Sequence, residues 1–220
     1  MIARRDSNER GAALLLAIVL VTILGVLGSV IALTARTETL VSGRVEQVQA
    51  LRYAADGAAT LALADLAVVE WTAALGGAAS TVTDGDPAAV RNIPGLQPIR
   101  LCCGVDTLSA ALEQAANGAR DWGADTPQWR LYAWGPVAAW LAAGDIKAPF
   151  YTGVWIADDP ADGDGDPLTD TNGTIAVYAA AMGPGGGRRA VRALIARPAG
   201  PAQIPPLPAV RIVAWHETQW

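Results

Sequence analysis

Hydrophobic positions along the chain follow three successive patterns. In residues 11–35 nothing is charged, and apolar side chains fall on every side of a helix drawn through the run. Leu14, Leu15, Leu16, Ile18 and Val19 open it, and Gly25, Gly28 and Ser29 are small residues of the kind found where membrane helices pack. At about 1.5 Å rise per residue the run covers the roughly 30 Å hydrocarbon core of a bilayer. A secretory signal would carry a shorter apolar stretch, about 7–15 residues, then a small-residue cleavage site and the mature fold. Here a helical pattern continues instead. Val41, Val45, Val48, Leu51, Ala55, Ala58, Ala62, Leu66, Val69 and Ala73 recur at steps of three or four. Arg36, Glu38, Arg44, Glu46, Gln49, Arg52 and Asp56 supply the polar face. The spacing predicts one helix to about Ala74, membrane-inserted over residues 12–35 and amphipathic over residues 36–75.

Beyond it the period shortens. Gly76, Gly77, Gly85, Pro87, Pro94, Gly95 and Pro98 mark residues 76–98 as a loop. Residues 106–117 read as a helix capped by Asp106 and ended by Asn117-Gly118. Residues 128–134 and 149–157 read as strands; residues 137–140, rich in alanine, fit either a strand or a helix. Residues 174–182 and 189–197 flank the glycine-rich stretch 183–187 as a β-hairpin. A proline-dense connector, residues 198–208, then precedes a last strand at residues 209–215. The prediction is an α+β domain over residues 76–220, its antiparallel sheet packed on the second half of the long helix.

Charge narrows the function classes. The formal net charge is −5, and Lys147 is the only lysine. Arg4, Arg5 and Arg10 against Asp6 and Glu9 leave the start of the chain at +1 and the rest at −6. An acidic body of this kind argues against a nucleic-acid partner, because phosphate binding relies on Lys and Arg. Basic residues ahead of the apolar run favour a cytoplasmic N-terminus and an exterior C-terminal domain, although Arg36 weakens the contrast.

Three groups of residues invite chemistry. Cys102 and Cys103 are the only cysteines and are adjacent. Either they form a vicinal disulfide, with Cα atoms closer than the usual range of about 4.4–6.8 Å, or they are two small apolar residues packed near the helix. Asp158, Asp159, Asp162, Asp164, Asp166 and Asp170 place six carboxylates in thirteen residues with no basic residue among them. Calcium, which takes 6–8 oxygen ligands, suits such a group; a solvated Asp/Gly/Pro turn is the alternative. The EF-hand pattern fails, since counting from Asp162 places Pro167 at the required glycine and Gly173 at the terminal glutamate. Eight tryptophans are present, most of them expected in the core, with Trp220 the best exposed candidate. No nucleophile triad, phosphate-binding loop or HExxH pattern is present, so the expectation is a protein that is not an enzyme.

The order of these features resembles a known family. A short basic leader ending in Gly11, an apolar helix starting at Ala12 and an amphipathic continuation look like a type IV pilin or pseudopilin. Tyr53, Ala54, Ala55, Asp56 and Gly57, followed by Ala58, resemble the Y-A-A-E-A-G box of PilX-type minor pilins, with Asp56 where the family usually has Glu. Residues 210–217 resemble that family's closing strand. The similarity is strongest over about residues 9–70. It implies a prepilin whose leader, residues 1–11, is cut by prepilin peptidase between Gly11 and Ala12. Methylation of the new N-terminus follows, with an inner-membrane stage in which the C-terminal domain is periplasmic. An assembly platform then brings the chain into a fibre with other minor and major pilins. A cell-surface location and a role in adhesion fit the same reading. Major pilins resemble one another in carrying Glu at the fifth mature position, which here is Leu16. The resemblance therefore implies a minor, initiating subunit. A tip-type minor pseudopilin of a type II secretion system and a single-pass, membrane-anchored binding protein are the alternatives.

Overall fold

The computed structural model describes residues 6–118, 123–140, 149–197 and 210–218. The chain divides into two compact units, one ending at Gln47 and the other beginning at Val48. The first is the leading part of helix α1 (Asp6–Leu66). Every residue from Gly11 to Glu46 is exposed, and Leu14, Leu15, Leu16, Ile18 and Val19 each expose more than half their surface. Three hydroxyls fall in the uncharged run, and each is satisfied within the helix. Thr22 donates to the Val19 carbonyl at 2.8 Å, Ser29 to Gly25 at 2.8 Å and Thr34 to Val30 at 3.0 Å. Hydrocarbon offers no partner to a polar group, so a run whose hydroxyls are already bonded enters lipid at lower cost. By length and composition this helix is able to cross a membrane and is compatible with a single-pass anchor.

The second unit begins where the apolar stripe of α1 becomes buried, Val41 and Val45 of the predicted stripe being exposed ahead of it. Leu51, Ala55, Ala58, Ala59, Ala62 and Leu66 are buried at helical spacing. That stripe packs against a five-stranded antiparallel sheet. Its strands, in both spatial and chain order, are β3 (Arg130–Pro136), β4 (Tyr151–Asp158), β5 (Thr174–Met182), β6 (Arg188–Ala196) and β7 (Arg211–Thr218). All of β4 and nearly all of β5 is buried, because both sheet faces are covered. Val154, Ile156, Ile175, Val177 and Ile195 join Ala58, Ala62 and Leu66 in one core. The alternate residues Trp155, Ala157, Tyr178 and Met182 join Leu108 and Leu112 of α3 (Leu108–Asn117) in the other. The Trp155 indole donates to Ser109 Oγ at 2.8 Å and ties α3 to the sheet.

The architecture is the predicted α+β arrangement, with local corrections. Helix α1 stops at Leu66, short of Ala74, and a turn leads to a separate short helix α2 (Trp71–Leu75). Buried Trp71 folds back, its indole donating to the Leu66 carbonyl at 2.8 Å, and Arg197 lies 4.3 Å over its ring while bonding the Val69 carbonyl. These two side chains satisfy carbonyls freed at the helix end, which no glycine or proline announces. The apolar spacing runs on through the break because α2 buries Trp71, Ala74 and Leu75 in the same core. Thr107, not Asp106, caps α3, its hydroxyl oxygen accepting from Ala110 N at 3.2 Å. Residues 137–140 are helical, as α4 (Val137–Trp140).

The expected loop 76–98 holds more order than its composition suggests. It includes β1 (Val90–Arg91), which pairs antiparallel with β2 (Ile99–Arg100). Residues 80–83 also run beside β3, with Ser80 N donating to the Tyr132 carbonyl at 2.8 Å and Trp134 N to Val82 at 3.1 Å. That edge of the sheet is thereby covered. Trp71, Trp129, Trp134, Trp140 and Trp155 are buried as expected. The proline-dense connector, Trp122 and Trp220 lie outside the described residues.

Candidate functional site

Three places bring candidate residues together. The first joins the two stretches that carry the family resemblance. Arg52 pairs with Glu217 of β7 and lies 4.0 Å from Asp56 one helical turn on. Arg52, the residue before the box, thus links Asp56 of the box to Glu217 of the closing strand. Burial raises the Asp56 carboxyl above the usual range; Arg52 opposes that shift and Glu217 adds to it. Ala55 is buried against β5 and β6 residues Ala181 and Val191. Tyr53 is 71% exposed, and Gly57 also faces out. Tyr53, Ala54, Gly57 and Ala58 border a hollow of about 110 Å³ closed by Val137, Trp140 and Thr152.

The second is a cleft of about 390 Å³ on the α3 side of the sheet. Cys102 and Cys103 form a disulfide on its wall. Cys103 has φ of 70°, a left-handed backbone that side chains rarely adopt. Trp129, Arg130 and Glu113 also line the cleft, and Glu113 Oε1 accepts from Trp129 N at 3.2 Å.

The third is the acidic loop between β4 and β5. Asp158 closes β4 and is only 4% exposed, while Asp162 is half-buried and Asp164 is exposed. One carboxylate oxygen from each of these three lies within 4.8 Å of the others. Asp158 Oδ1 is buried with no hydrogen-bond partner. Burial pushes the Asp158 carboxyl up to about 7, and the charges of Asp162, Asp170 and Asp164 push the same way against a backbone bond from Asp159. Asp162 behaves oppositely. Burial acts to raise it, but the Thr171 hydroxyl and the Thr171 and Asn172 amides donate to it and hold it below the usual range.

The remaining aspartates shape the loop. Asp170 Oδ1 accepts from the amides of Gly173 at 2.8 Å and Thr174 at 3.0 Å, and Asp166 accepts from Leu168 N and the Thr169 hydroxyl. Asp159 accepts from Ala161 N at 3.3 Å. Gly165 N donates to Asp125, which anchors the loop to a 3₁₀ turn, Gly123–Asp125. Of the six aspartates singled out by composition, three converge and three act as turn formers. Asp125, forty residues away, carries no mark in the sequence that joins it to the loop. Comparison with family models, curated proteins and solved structures returned no match to this chain.

Proposed function

We propose that this chain is a structural subunit of a type IV pilus, a minor pilin of the PilX type acting in initiation or assembly of the fibre. The observation that carries the reading is a single helix used in two ways. Residues 11–35 present uncharged, exposed surface, and the later turns bury an alanine-rich stripe against an antiparallel sheet. Such an apolar surface is stable in lipid, and leaves lipid only where neighbouring helices bury it instead. The meeting of box and closing strand at Arg52 supports the same reading, because it gives both stretches one structural task. In this role the protein is not an enzyme. Its partners are prepilin peptidase, the assembly platform, and other minor and major pilins. It resides first in the inner membrane, with the C-terminal domain in the periplasm, and then in the fibre at the cell surface.

Processing tests the proposal. In a host with a prepilin peptidase, intact-mass measurement should find the mature chain beginning at Ala12 and carrying one methyl group. Gly11→Val should accumulate as the uncut, membrane-held form. Mature protein that retains Met1, or a Gly11→Val chain cut as efficiently as the natural one, would rule the reading out in favour of a permanent single-pass anchor.

A further inference from the structure

The acidic loop holds a carboxylate that the fold leaves unsettled. Buried polar atoms are nearly always hydrogen-bonded, and a buried ionised carboxylate is costly unless it is paired. Asp158 is 96% buried by its 4% exposure, its Oδ1 has no partner, and two further carboxylates face it from Asp162 and Asp164. No Lys or Arg lies within residues 158–174. A fold that closes a strand on this residue must neutralise it, and a bound cation does so without a proton.

We infer that the β4–β5 loop binds one calcium ion, held by carboxylate oxygens of Asp158, Asp162 and Asp164. The geometry suits the ion. Calcium–oxygen distances are about 2.3–2.6 Å, so two oxygens on one ion stand at most about 5 Å apart, and these lie within 4.8 Å of one another. The donors are all hard oxygens, which favours a hard cation over the softer metals that prefer sulfur or imidazole. Calcium accepts irregular geometry from a loop, whereas magnesium demands a near-ideal octahedron and sheds its water reluctantly. Asp162 and Asp164 are set on a short turn around Gly163 and Gly165, both with left-handed backbones. Asp162 is steadied by Thr171 and Asn172, and Asp164 by the Asp166 amide at 2.8 Å. Asp158 sits at the end of a fully buried strand, so the ion would fasten the loop to the sheet. This inference stands apart from the fibre reading, and either survives failure of the other.

The test uses the full chain in detergent micelles, stripped with a chelator, and reads the melting temperature with and without Ca²⁺. At about a hundredfold excess over Kd, calcium should raise it on the order of 5–10 °C. The double variant Asp162→Asn/Asp164→Asn should lose that rise. Asp158→Asn should melt higher than the natural chain without calcium, because the charge is gone, and should no longer respond to the ion. Asp106→Asn, an exposed carboxylate elsewhere, should respond in full. A natural chain whose melting is unchanged in millimolar Ca²⁺ would overturn the site. So would variants that respond as the natural chain does, or an equal response to Mg²⁺.

Discussion

At the scale of single residues, the most informative side chains are buried polar ones whose partners come from distant parts of the chain. Tyr151 is 7% exposed, and its hydroxyl accepts from Arg91 Nε at 2.9 Å and donates to Asp84 Oδ2 at 3.1 Å. Arg91 in turn bonds the carbonyls of Asp84 and Asp86, so one guanidinium and one phenol pin the covering loop to β4. Burial pushes the Tyr151 hydroxyl up to about 12; Arg91 opposes that shift and Asp84 adds to it. A tyrosine in the unfolded chain ionises near 10, so between about 10 and 12 the folded state holds a proton that the unfolded state has lost. Stability therefore falls as pH rises through that window, by at most about 1.4 kcal/mol per pH unit for this group. Denaturant titrations of the natural chain and of Tyr151→Phe across the window should show a shallower fall in the variant. Equal slopes would deny Tyr151 this part. No local pattern marks Tyr151, Arg91 and Asp84 as partners, since they lie up to 67 residues apart. The acidic loop was legible as composition, but the burial of Asp158 was not, because burial depends on the sheet it terminates.

At the scale of elements, tight packing at the centre of the sheet sets the sharpest constraint. A Cβ at Gly153, in the fully buried β4, would stand 2.7 Å from the ring of Trp155. That ring is buried and bonded to Ser109, so it has nowhere to move. Gly153→Ala should destabilise the fold by about 1–3 kcal/mol, measured by denaturant unfolding, whereas Gly57→Ala, facing open space, should cost far less. Equal effects would contradict this packing. Elements whose identity rests on local chemistry were legible in the sequence. The β5–β6 hairpin follows from two β-rich runs around Gly183 and Pro184, and the end of α3 from Asn117-Gly118. The stop at Leu66 was not legible, because the side chains that donate to its free carbonyls are an indole five residues on, Trp71, which no capping rule anticipates, and Arg197, which arrives only once the sheet exists. Likewise residue type did not choose Thr107 over Asp106 as the cap of α3, since both types cap helices well.

At the scale of the whole molecule, function turns on what a chain of this kind does with its apolar helix. Leu16 stands where the resemblance to major pilins calls for a glutamate, and it is an exposed apolar residue within an apolar run. A carboxylate in a membrane or fibre core is costly unless it meets a cation such as a neighbour's N-terminal amine. On the proposed pilin reading, a chain with Leu16 at this position offers its own amine to a glutamate-bearing neighbour but presents no acid there for the next subunit to bind. It should therefore initiate or end an assembly and not polymerise by itself, and Leu16→Ala should leave assembly intact. Quantitative mass spectrometry of fibres sheared from the cells that make this protein tests the account most directly. A few copies of the chain, starting at Ala12, beside an abundant subunit with glutamate at its fifth position is the predicted result. Fibres built chiefly from this chain, or fibres from which it is absent while it stays uncut in the membrane, would contradict it.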